Sequence, residues 1–304
     1  YLSVSDDEVF FAYADFEGLE EFDDGEDSSG DGNMEDFDEP LLAAPMAGIF
    51  LLAFGAGFTL ASGGLSGLFG AQEESDLESR AEQVLVVNEV TVVAGDLDTD
   101  EIDGRLTSEQ ESDLFAVQYE VGEEVDGYTF YAPPEDAEAP VFAVGESELL
   151  AAQEQSDIES VVDAIDGDGR AAEEFDEFEW LLETAGEGLI AFGGYGSDGF
   201  EGPEGDTEGS GDGGGGETPD PEESLGSVGD ANGLVSTLSF TESAVDAVLA
   251  ASFDDLNDDQ QSEIENDFES DRTDVSLTFD GGRLTAEATY EEEVLEEAGT
   301  GTTS

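Results

Sequence analysis

The sequence predicts a mainly β fold, a small barrel or sandwich, joined to one apolar helix that is transmembrane or Gly-rich, and to a small α+β C-terminal domain. Three observations carry this reading. Residues 84–195 hold many short β-branched and aromatic runs separated by turn signals. Residues 41–71 carry no charge in a chain that is 29% charged. Beyond a Gly/Asp/Glu-rich stretch, residues 224–290 combine helix-period and alternating apolar patterns.

Taken in order, residues 1–40 read as an acidic, flexible N-terminal segment. Val9-Phe10-Phe11 with Tyr13 and Phe16 form an apolar cluster, and Asp23 to Asp38 is acidic and rich in Gly and Ser. Low hydrophobicity and high charge leave such a run too little apolar surface to order itself. Residues 41–71, LLAAPMAGIFLLAFGAGFTLASGGLSGLFGA, meet the length and charge criteria for a membrane-spanning helix. Gly63 and Gly67 have the small-xxx-small spacing that lets two helices approach closely. The alternative for this segment is a Gly-rich core hairpin or an assembly arm, because Gly weakens a helix in water.

The β-rich domain is placed at 84–200. Its expected strands are Leu85-Val86-Val87, Val90 to Val93, the alternating Phe115 to Val121, Tyr128 to Tyr131, Val141 to Val144 and Leu189 to Phe192, with one acidic helix near Asp157 to Ile165. Residues 202–223 read as a flexible Gly/Asp/Glu linker. In the small α+β domain, 224–290, Thr241 is read as the cap of a helix through Ala251, with Val245, Val248 and Leu249 at helical spacing. A second helix is expected over Asn257 to Glu269, followed by a hairpin of Val275 to Phe279 and Leu284 to Tyr290 about Asp280-Gly281-Gly282. Residues 291–304 read as a frayed tail, and no sequence repeat is evident.

Charge sets the environment. The chain has 82 Asp and Glu against five Arg, no Lys, His or Cys, and a net charge of −77. Uncompensated charge of that size destabilises a compact state by self-repulsion. At about 1 M ionic strength the screening length falls to roughly 3 Å, which quenches most of the repulsion. The chain is nonetheless 38% hydrophobic, with 20 Phe, seven Tyr and Trp180, so it can build a core. These features predict a protein of an extreme halophile that needs salt to fold.

The missing residue types exclude chemistry. Without Cys there is no disulfide or thiolate metal site, and without His no Ser-His-Asp triad and none of the usual zinc sites. Without Lys there is no Schiff base and no P-loop lysine. Nucleic acid is not expected as a partner, since phosphate affinity comes from Lys and Arg. Oxygen-rich clusters could take Ca2+ or Mg2+. Asp96, Asp98, Asp100 and Asp103 resemble the start of a calcium loop, but Glu101 and Thr107 stand where an EF-hand needs Gly and Glu. Runs at Asp163 to Asp168 and Asp255 to Asp259 fail similarly. No cofactor is expected, and K+, Na+, Mg2+ or Ca2+ are expected only as nonspecific counter-ions.

The order of features in the β region resembles the GIDE family, also called the beside-a-membrane domain. The residues that carry this are Leu106-Thr107-Ser108 followed by Phe115 to Val121, and Ala139-Pro140-Val141-Phe142-Ala143-Val144, similar to that family's "PFxV" segment. Phe178-Glu179-Trp180-Leu181-Leu182 with Gly186, and Leu189 to Gly193, are similar to its closing strand pair. The resemblance spans residues 84–195. It implies an all-β module beside a membrane, with no catalytic residue to transfer. The Cys often found in the family's central strand region is absent, and without Cys or His no RING finger forms, so ligase activity is not implied.

The expected function is a non-enzymatic, membrane-anchored haloarchaeal protein that displays an acidic β-rich interaction domain. The alternative is a structural subunit of a halophilic virion or cell envelope. Its partners would be membrane lipid or neighbouring subunits, including copies of itself.

Overall fold

The computed structural model describes residues 8–20, 22, 40–69, 77–108, 117–137, 139–166, 175–196, 226–241, 243–269 and 273–291. Two compact units divide the chain: the first takes the described residues of 11–21 and 49–174, the second those of 5–10, 22–48 and 175–304. The fold is mainly β and antiparallel. Each unit holds an open sheet where a barrel or sandwich was expected.

In the first unit the strand order is β1 (Val9–Asp15, with 11–15 in this unit), β2 (Arg80–Val87), β3 (Val90–Asp96), β7 (Glu148–Ala152), β6 (Val141–Val144), β5 (Tyr128–Ala132) and β4 (Glu120–Val125). The turns that join them are legible in the residues. Asn88 (φ 50°), Asp126 (φ 50°) and Gly127 (φ 88°) supply the left-handed conformations that two-residue hairpin loops require. Between β3 and β4 lies helix α4 (Thr99–Thr107), and after β7 helix α5 (Gln155–Asp166) lies on β7 and β3. Leu60, Leu65, Ile102, Leu106, Phe142, Leu149 and Ile158 fill the core with no measurable exposure.

In the second unit the order is β8 (Ile190–Tyr195), β9 (Gly233–Phe240), β10 (Ala244–Ser252), β12 (Arg283–Glu291) and β11 (Ser276–Asp280). Helix α6 (Asp176–Ala185) lies on β9 and β10, and helix α7 (Asp258–Asp267) falls between β10 and β11. In each unit an N-capped helix follows three successively paired strands, and the last strand returns to the third: β7, closing the four-strand run β4–β7, pairs with β3, and β12, closing the hairpin β11–β12, pairs with β10.

Four sequence expectations change. The apolar cluster at Val9 to Phe16 is strand β1 and the short helix α1 (Phe16–Glu20), not part of a flexible segment. Residues 244–252 form strand β10 rather than a helix. It is flanked by β9 and β12, and Leu249 to Ser252 are buried on both faces, so its apolar residues mimic helical spacing. The Thr241 hydroxyl does accept the N–H of Ala244, at 3.1 Å, but closes the β9–β10 turn. Phe178 to Leu182 lies in α6, so it forms no strand pair with Leu189 to Gly193. Finally, α6 and β8 belong to the second unit, which breaks the expected 84–200 domain at residue 174. The linker at 202–223, the acidic run at 23–38 and the tail beyond Glu291 lie outside the described residues.

The uncharged segment divides into α2 (Pro40–Leu51), a π turn over Leu52–Ala56, α3 (Gly57–Ser62) and a 3-10 turn over Ser66–Phe69. Among the described residues no helix is long and apolar enough to cross a membrane. Leu41, Leu42, Ala44, Leu52, Ala56, Leu60, Leu65 and Leu68 are all buried in the chain's own fold. Phe58, at 67% exposure, and Phe69, at 36%, are the segment's exposed large apolar side chains among the described residues.

Candidate functional site

The carboxylates singled out in the sequence sit around α4, and two of them, Asp98 and Asp103, make structural hydrogen bonds. Asp96 ends β3, and Asp100 lies in the exposed first turn of the helix. Asp98 is the N-cap, its Oδ1 accepting the N–H of Glu101 at 3.0 Å. Asp103 Oδ1 accepts the hydroxyl of Tyr131 at 2.9 Å, tying α4 to β5. These four do not converge: among the described residues no group of three Asp, Glu, His or Cys is arranged to hold a metal ion.

Sequence reasoning missed the residue that organises this corner, Glu101. Its carboxylate accepts the backbone N–H of Glu78 at 2.9 and 3.1 Å, the N–H of Ser79 at 2.8 Å and the Ser79 hydroxyl at 2.7 Å. Partial burial disfavours its charge, but those bonds and the Arg105 guanidinium outweigh it and hold the carboxyl below the usual carboxylate range. A Ser three residues before a Glu-capped helix would have been a signal. Here Ser79 and Glu101 are 22 positions apart, with a hairpin between them.

Gly63 also takes a role other than the expected one. A Cβ built there would stand 2.9 Å from Leu106 Cδ2 and 3.0 Å from Phe142 Cζ, so the close approach its spacing suggested is used inside the first unit. The neighbouring Ser62 carbonyl accepts the N–H of Val117, and its hydroxyl lies 3.3 Å from Tyr119 Oη. Gly67, its expected companion, lies in the 3-10 turn Ser66–Phe69.

The second unit carries a groove of about 640 Å³ over β10 and β12, bordered by Asp246, Asp274, Glu287, Thr289 and Glu291. Thr289 donates its hydroxyl to Asp246 at 2.6 Å across the two strands. On the same unit Arg283 stacks over Trp180, 4.4 Å from the ring centre, and approaches Glu177 at 3.5 Å, fastening α6 to the β11–β12 turn. In the first unit Arg80 is paired with Glu20.

No protein-family profile matches the chain, and no curated protein matches it. Among solved structures it is similar to TP0453 in crystal forms I and III. The identities are 11% and 10%, with 98% of this chain and 94% and 95% of the other chains covered, at TM-scores of 0.42 and 0.41.

Proposed function

We propose that this chain is a non-enzymatic protein of an extreme halophile that displays an acidic β-rich surface as its interaction face, held beside a membrane. One observation carries the reading. Among the described residues the buried polar side chains are Ser62, Ser79, Thr91, Ser236, Thr237 and Ser252, with no carboxylate among them. The acids therefore clothe apolar cores, and even those that border the groove over β10 and β12 stay out of the buried set, as a salt-adapted surface requires.

Contact with lipid falls to the uncharged segment, whose exposed described residues Ala53, Gly55, Phe58, Ser66 and Phe69 bear no charge. Burying one Phe contributes about 2 kcal/mol, so this face alone supports only reversible attachment. The second reading, a structural subunit of a virion or envelope, is favoured by the burial of Leu41, Leu42, Leu60, Leu65 and Leu68 within the chain itself. In that reading a neighbouring copy covers Phe58.

Flotation of the full chain and of Phe58→Glu with ether-lipid vesicles in multi-molar KCl separates the two. If the unaltered chain floats and the folded variant does not, the membrane reading holds. Failure of both to float, with sedimentation showing an oligomer that Phe58→Glu dissociates, transfers the proposal to the assembly subunit. Saturable turnover of a substrate by the full chain would overturn both.

A further inference from the structure

We draw no further inference here: the strongest candidate, the acidic groove over β10 and β12 bordered by Asp246, Asp274, Glu287 and Glu291, is a cluster of carboxylates for which nothing in the structure shows what fills it.

Discussion

The hydroxyl of Ser79 donates to the Glu101 carboxylate at 2.7 Å and accepts the backbone N–H of Asp98 at 2.9 Å. In an ordinary capping box the third helical residue takes the N-cap N–H directly. Helix α7 does this, with Gln260 Oε1 accepting the N–H of Asn257 at 3.1 Å. At α4 the same bond is relayed through a residue that precedes β2, so capping the helix also fastens it to the sheet. Ser79→Ala removes both bonds of the relay and should lower stability by about 1–2 kcal/mol. Urea unfolding in multi-molar KCl measures this, with the slope unchanged.

Acid should act on α4 in the opposite sense to the rest of the surface. Protonating exposed carboxylates relieves self-repulsion and stabilises the compact state in dilute salt. Glu101 is held below the usual carboxylate range, so its contribution is present above the ordinary Glu value near 4.3 and is lost as pH falls through its folded value. Hydrogen exchange at low pH should show the amides of 99–107 opening before those of β9. Glu101→Gln should produce the same opening at neutral pH.

Two glycines of the uncharged segment should respond oppositely to alanine. Gly63→Ala places a methyl against Leu106 and Phe142 and should cost about 1–3 kcal/mol. Gly55 has open space where a Cβ would stand, and Gly55→Ala in this helical stretch should gain about 0.5–1 kcal/mol. Thermal unfolding in high salt reads both. Equal, small effects would mean that Gly63 does not pack as described.

Burial, and then the hydrogen bond and charge of Asp103, raise the phenol of Tyr131 far above its ordinary value. The stability tied to it is complete below about pH 10 and declines as pH rises beyond that, because the unfolded chain ionises first. Phenolate absorbance should therefore rise with unfolding rather than before it at this residue. Tyr131→Phe should flatten the alkaline arm of the stability curve.

Local chemistry made much of this fold readable. The hairpin about Asp280-Gly281-Gly282 follows from turn residues between alternating apolar runs, whereas the exposed, acidic β4 (Glu120–Val125) stands where a strand over Phe115 to Val121 was expected. Asn257 announced α7, and Ile264 and Phe268 are buried on the face the spacing implied. Strand β10 misled because burial on both faces erases the period of two. Strands β7 and β9 went unread for a related reason: each carries a run of buried residues instead of a clean alternation. The Ser79–Glu101 link was invisible because it joins residues that only strand pairing brings together. Gly63 was correctly marked as a close-packing position, but sequence does not say against what, and the partner is the chain's own core.

Salt dependence is the central claim, and the single Trp gives it a direct probe. Trp180 sits on α6 beneath Arg283, so its emission and the near-UV circular dichroism report whether that helix is fastened to the sheet. The measurement is a titration of the full chain from multi-molar to millimolar KCl at neutral pH. Loss of near-UV signal with a red shift of Trp180 emission, reversed on restoring salt, is the predicted result, since screening is withdrawn from a net charge of −77. A folded signal that survives in dilute buffer would contradict the account.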